Sequence, residues 1–273
     1  MEQVSIHPFD NAVSLQGENG RYTGNTSSHY ANMIGPFGGI TVATLLHAIL
    51  RHPECQGEPL SATFNFAAPV ADGEFEVVVR NSRTNRSTQH WTMELRQDDT
   101  IVMTGTAVLA ARRDTYSSTE VDMPTVPKYE NLKTMTTAAL PNWTKNYIFR
   151  VVEGDLTSLT NKDADSFGQS ETITWISEAS PRPLDFLSLI AICDTFFPRV
   201  FIKRKKIVPV GTVSMTVQFH TSSEVLKANG NSPVLGKARA SRFNNGFFDQ
   251  TAEIWSETGE LFATTSQVVY FKN

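Results

Sequence analysis

Only two cysteines occur in 273 residues, Cys55 and Cys193. Neither has a second cysteine at metal-ligand or redox-motif spacing, so both are expected to be free thiols in a reducing compartment. No apolar run is long enough to span a bilayer. The stretch Met1-Glu2-Gln3-Val4-Ser5-Ile6-His7-Pro8 lacks the basic region and apolar run of a signal peptide. Tyr270-Phe271-Lys272-Asn273 is not the peroxisomal tripeptide signal. A cytoplasmic location is therefore expected. Charged residues are sparse at 19%, the formal net charge is -4 and the sequence pI is near 5.9. Broad electrostatic binding to nucleic acid or anionic membrane is excluded on that balance. There is no Gly-x-Ser-x-Gly elbow, so an α/β-hydrolase mechanism is not expected. A His-Glu-x-x-His motif and a phosphate loop are also missing. His29, His90 and His220 have no ligand spacing, and neither metal nor cofactor is expected.

Apolar residues make up 40% of the chain, enough for a substantial core. Their arrangement repeats. The first copy opens on Gly35-Pro36-Phe37-Gly38-Gly39 and continues as a helix over Ile40 to Arg51. There Ile40, Ala43, Leu46 and Leu50 recur at helical spacing and Pro53 closes the run. Strands follow over Leu60 to Ala67, Phe75 to Arg83, Gln89 to Gln97 and Ile101 to Ala110, with Asp98-Asp99 as a tight turn. The second copy has a helix over Leu184 to Phe196, between Pro183 and Pro198. Its strands are expected over Gly211 to His220, Val234 to Arg242, Phe248 to Ser256 and Leu261 to Phe271.

Phe66 matches Phe219, Glu94-Leu95 matches Glu253-Ile254, and Ile101 matches Leu261. A Thr-, Pro- and Ser-rich stretch holding Pro124, Pro127 and Pro141 separates the copies. The expected organisation is a first module over 1–113, a linker over 114–145 and a second module over 146–273. A helix apolar nearly all round, followed by an antiparallel meander, describes a sheet wrapped around one helix. The duplication makes this an α+β double hotdog: two tandem modules, each an antiparallel sheet around a long central helix.

Asp194 stands out within the second helix. It follows Phe186-Leu187-Ser188-Leu189-Ile190-Ala191-Ile192-Cys193, of which only Ser188 is strongly polar. A helix C-terminus carries partial negative charge, and apolar surroundings oppose ionisation. Such an acid has a raised pKa unless partners compensate, which suits a general base. A helix that ends earlier, leaving the acid solvated, is the competing interpretation. Thr212 starts a strand in which odd positions are apolar and even positions polar; it falls on the polar parity. Gln267 lies in the last strand, opposite Ala107 of the first copy. The end of the first helix, His47-Ala48-Ile49-Leu50, has no acid. The polar groups are thus confined to the second copy.

These segments carry a resemblance. Leu189-Ile190-Ala191-Ile192-Cys193-Asp194, Gly211-Thr212-Val213 leading to Phe219-His220, and Leu261-Phe262-Ala263 leading to Gln267 resemble the type II acyl-CoA thioesterases. Phe37-Gly38-Gly39 resembles the glycine pair of that family at its first helix. The resemblance spans about residues 20 to 272. It implies a double hotdog in which Asp194, Thr212 and Gln267 orient and activate a hydrolytic water. The chain departs from the family pattern at Gln218 and at Thr221-Ser222, which bears on acyl-chain specificity. It implies an acyl-CoA or acyl-carrier substrate, with direct attack of water on the thioester. Amides at Gly38 and Gly39 are candidates for holding the oxyanion, alongside a purely packing role. The run Lys203-Arg204-Lys205-Lys206 is a candidate for the phosphates of coenzyme A, alongside a solvated loop. Other hotdog chemistry stays open, namely dehydration, isomerisation or cyclisation of a carrier-bound chain, and so does acyl binding without turnover. Monomer and homodimer also both stay open.

Overall fold

The computed structural model describes residues 6–154 and 168–272. Residues 1–5 and Asn273, read above for targeting signals, lie outside them. The first half opens with helix α1 (Pro8–Ala12) and strands β1 (Gln16–Glu18) and β2 (Arg21–Asn25). Helix α2 (Gly38–Leu50) follows, then β3 (Glu58–Phe66), β4 (Glu74–Thr84), β5 (Thr88–Gln97) and β6 (Thr100–Ala110). The second half begins with β7 (Tyr147–Glu153), β8 (Thr172–Glu178), α3 (Phe186–Ile192) and α4 (Arg199–Arg204). It continues with β9 (Val210–Phe219), α5 (Ser223–Asn229), β10 (Val234–Arg239), β11 (Phe243–Asn244), β12 (Phe247–Ser256) and β13 (Leu261–Phe271). The four meander strands of each half fall within a few residues of expectation. The strands ahead of each central helix were not anticipated. They extend the repeat, because β2 joins β4 as β8 joins β10.

All strands form one antiparallel sheet in the order β1-β2-β4-β5-β6-β3-β9-β13-β12-β10-β8-β7, with β11 against β12. Each half has the same internal order, and the halves meet where β3 pairs with β9. At the centre of that seam Thr63 lies opposite Thr216, their hydroxyls 3.0 Å apart and their numbers differing by 153. The same offset relates Phe66 to Phe219. Equivalent residues therefore meet at a pseudo-two-fold axis. The fold is the double hotdog that the repeat predicted.

Helix α2 is surrounded, with Val42, Ala43, Leu45, Leu46, Ala48 and Ile49 all fully buried. Enclosure on every side is what its uniformly apolar sequence requires. Helix α3 is shorter than the expected span over Leu184 to Phe196, with only 7 residues. Pro181 and Pro183 keep the approach extended, and Asp185 caps the start. Ser188, the polar exception in this segment, closes a reciprocal capping box with Asp185. At the other end Thr195 Oγ1 donates to Ile192 O at 2.8 Å, and Pro198 follows. The long central helix is thus realised in the first half only.

The stretch read as a linker covers a second surface. Met123, Val126, Tyr129 and Leu132 pack on Trp175, Leu235 and Trp255 of β8, β10 and β12. The Trp175 indole donates to Pro127 O at 3.1 Å, and Arg150 lies 4.0 Å from the Tyr129 ring centroid. Proline here fixes an extended path, and the apolar residues between give it a surface to hold.

Candidate active site

Three elements bring Asp194, Thr212 and Gln267 together. Asp194 lies in the turn that ends α3, Thr212 near the start of β9, and Gln267 in the middle of β13. Gln267 Nε2 donates to Asp194 Oδ1 at 2.8 Å. Its Oε1 accepts from the Thr212 hydroxyl at 3.5 Å, the outer limit of a hydrogen bond. Gln267 is only 2% exposed, whereas Asp194 and Thr212 are half-buried. The amide is therefore held in the core with two partners, and the acid keeps a face toward open space.

Strand parity placed Thr212 outward with Ser214, Thr216 and Gln218. The ladder corrects this. Met215 lies opposite Gln267 and Ser214 opposite Val268, but Thr212 lies opposite Val269. Val213 is an extra residue in β9, a bulge, and it is exposed. Opposed residues share a face of the sheet. Val269 is buried, so Thr212 turns inward beside Gln267. The repeat is also explicit in the ladders. Ala62 pairs with Ala107 in the first half, and its counterpart Met215 pairs with Gln267 in the second. Near the end of α2, His47 contacts Val13 O at 2.7 Å through Nδ1.

The electrostatics of Asp194 combine opposing effects. Burial raises its pKa to about 7 and is the largest influence. Hydrogen bonds from the Gln267 side chain and the Gly39 backbone amide act in the other direction. The second of these was not foreseen. The N-terminus of α2 faces the turn after α3, so a 13-residue helix presents its positive end to the acid. The glycines make that approach feasible. A Cβ on Gly38 would stand 2.7 Å from Asp194 Oδ2. One on Gly39 would stand 2.6 Å from Ala191 O and 2.5 Å from the Phe37 ring. Both readings of the glycine pair therefore have a physical basis: close helix packing, and amides directed at a charged oxygen. The Gly39 amide is engaged by Asp194, which limits its use for an oxyanion.

An aromatic wall adjoins this helix start. Phe37, the N-cap of α2, stacks on Trp143 at 4.2 Å between centroids with 7° between planes. Phe197 lies 6.1 Å from Trp143 and 5.9 Å from Phe149. Among the described residues the Tyr147 hydroxyl is buried without a hydrogen-bond partner; burial, then Glu178, Tyr30 and Asp194, hold its pKa up. Sequence patterning missed Trp143, Tyr147 and Phe149 because 142–153 carried no recognised strand.

Other candidates fall away from this cluster. Lys203 and Arg204 form the last turn of α4, and Lys205 caps it in the left-handed conformation. Cations there complement the negative helix end. None of the hydrogen bonds made by Asp194, Thr212 or Gln267 reaches this run. Both cysteines are unpaired, and burial pushes both thiols up, away from the reactive thiolate. Among the described residues no group of three or more His, Cys, Asp or Glu side chains could hold a metal ion. No helix among them is long and apolar enough to cross a membrane.

Two family models match the chain. The acyl-CoA thioesterase N-terminal domain matches residues 27–110, and the acyl-CoA thioesterase C-terminal domain matches residues 119–271. Among solved structures, the chain is similar to a conserved protein of unknown function with a hot dog fold from Alicyclobacillus acidocaldarius. The two are 42% identical over 98% of this chain and 99% of that one, with a TM-score of 0.93. A putative thioesterase II from Thermobifida fusca shares the fold at 16% identity, covering 97% of each chain, with a TM-score of 0.79. So does an acyl-CoA thioesterase II from Mycobacterium marinum, at 15% identity and a TM-score of 0.77, covering 97% of this chain and 98% of that one. No curated protein matches the sequence.

Proposed function

From the premise that this chain belongs to the acyl-CoA thioesterase family, we propose that it hydrolyses acyl thioesters by direct attack of a water activated at Asp194. One observation carries the reading: a half-buried acid with a pKa near 7 joined to Gln267 and through it to Thr212. Water within reach of Asp194 gives a proton to the carboxylate while its oxygen attacks the thioester carbonyl. Gln267 Oε1 and the Thr212 hydroxyl hold that water in line. The tetrahedral intermediate collapses, the C–S bond breaks, and Asp194 returns the proton to the leaving thiolate. The products are a free acid and a thiol. General-base assistance of this kind is worth about 10² to 10⁴ in rate. Orientation of the water adds to it. The amide of Gly38 is available to the developing oxyanion in this scheme. The run Lys203-Arg204-Lys205-Lys206 supplies charge for the phosphates of coenzyme A; neutralising it then raises KM most at low salt.

The test is a product analysis by mass spectrometry over a panel of acyl-CoA and carrier-bound substrates. Equimolar free acid and free thiol are expected. A product still attached to its carrier, altered by loss of water or by isomerisation, would replace hydrolysis with another hotdog chemistry. Tight binding with no turnover would make the protein a non-catalytic acyl-binding protein.

A further inference from the structure

Behind the acid, Tyr30, Tyr147 and Glu178 bury oxygens that have nothing to bond. Both phenol hydroxyls and both carboxyl oxygens lack a hydrogen-bond partner among the described residues. The fold sets the three side chains together. Tyr147 and Glu178 lie opposite each other in the β7–β8 ladder, at the end away from the Glu153–Ile173 pair, so they share a face. Tyr30 closes the turn Ser28–Tyr30 of the first half. That turn is fastened to the chain just ahead of β7. Asn146 Nδ2 donates to His29 O at 2.7 Å, and the Trp143 amide donates to Ala31 O at 3.2 Å. Tyr30 is 0% exposed and Tyr147 3%.

Burial is the largest influence on all three groups, and Glu178 also raises the pKa of both tyrosines. Burial pushes Glu178 itself up to about 8, with Arg182 acting in the other direction. At pH 7 the trio is therefore chiefly uncharged, with three O–H donors and spare lone pairs. Arg182 does not meet that need. Its guanidinium is bonded to Asp10 at 2.9 Å and to Asp185 at 2.6 Å, and it lies over the Phe9 ring. A buried polar group left bare costs about tenfold in the folding equilibrium. Four such oxygens would cost about 10⁴-fold, which matches the whole folding constant of some small domains. The oxygens do not bond one another, so a bridging molecule must be small, neutral and able both to donate and to accept. Internal water has those properties, and its usual setting is about three bonds to otherwise unsatisfied buried groups. Solvent lies close by: an open pocket of about 400 Å³ is lined by Asp10, Arg182 and Asp185, the charged residues that act on Glu178.

We propose that Tyr30, Tyr147 and Glu178 enclose an internal water site that joins the two halves one layer behind Asp194. The Tyr147 ring lies 6.5 Å from that of Phe37, the N-cap of α2. The water thus completes the wall against which the Gly38-Gly39 helix start is set. The site is independent of which reaction Asp194 serves.

Calorimetry of the intact protein at pH 6 tests it by the sign of a change. A hydroxyl that holds the water loses a hydrogen bond in Tyr30→Phe or Tyr147→Phe, and each variant is expected to lower Tm by about 2–4 °C. A bare hydroxyl gives the opposite result, because phenylalanine removes an unpaired polar group and Tm rises. Since the two hydroxyls share one water, the double variant should lose less than the sum of the single losses. A high-resolution crystal structure of the parent should show one water within hydrogen-bond distance of all three side chains. Glu178→Gln keeps a donor and an acceptor in place and should retain that water; Glu178→Leu should lose it. A raised Tm in either phenylalanine variant, additive losses, or direct Tyr–Glu hydrogen bonds in the crystal would overturn the proposal.

Discussion

At Asp194 two consequences follow from one raised pKa. In the proposed mechanism Asp194 acts as a base only when ionised, so kcat/KM is expected to rise with pH through a midpoint near 7. The Gln267 amide lowers that midpoint by favouring the carboxylate. Gln267→Leu should therefore move it upward as well as reduce the rate; a pH–rate profile checks both. The second consequence concerns stability. The folded protein holds this proton about three pH units above the ordinary carboxylate value of 3.8, so ionising the acid opposes folding. The destabilisation is absent below the unfolded value and grows as pH rises toward 7. Asp194→Asn should raise Tm at pH 8 and leave it little changed at pH 4. The shift is about 2–4 °C per kcal/mol recovered for a chain of this size. Sequence patterning could see this acid, because eight residues of apolar helix precede it. It could not see the amide of Gly39, which comes from a helix some 150 residues away in the chain and acts through backbone. Nor could strand parity orient Thr212, since a bulge is a property of the ladder rather than of one strand.

Among the elements, the meeting of α2 with the turn after α3 does most to position the site. Its separation is set by hydrogen atoms at Gly38 and Gly39. Gly39→Ala would drive a methyl group into Ala191 O and the Phe37 ring. We expect a loss of about 1–3 kcal/mol from overpacking, read by chemical denaturation, with a rate loss as the amide retreats from Asp194. A second element-scale expectation concerns β9. Deleting Val213 removes the bulge and joins Thr212 directly to Ser214, so simple alternation keeps Thr212 inward, opposite Val269. Activity should survive the deletion, with the far-ultraviolet spectrum that of the parent; loss of activity in the folded variant would show that the bulge itself is needed. Strand positions were legible because each meander strand has one buried face and a clear turn. The shortness of α3 was less so: the apolar run continues past Ile192, and the helix is ended by Thr195 and Pro198 rather than by polarity.

Across the whole molecule, the β3–β9 seam makes one sheet of two copies, and the site draws on both. Gly39 comes from the first half; Asp194, Thr212 and Gln267 come from the second. A stretch with no strand between β6 and β7 packs over the second half rather than dangling between two bodies. We therefore expect a single cooperative unfolding transition by calorimetry; two resolved transitions would speak against a shared core. The duplication itself was readable from offsets between matching residues. Its consequence, that one copy kept polar groups where the other has Ala107 and an apolar helix end, was readable as well. What the chain order hides is the pseudo-two-fold axis at Thr63 and Thr216, which carries the start of one helix to the end of the other.

The most direct test of the account is thiol release from acyl-CoA by the parent protein and by Asp194→Asn at pH 8. The variant should lose about 10² to 10⁴ in kcat. Its Tm should equal or exceed that of the parent. Hydrolysis at the parent rate in the folded variant would contradict the role of Asp194.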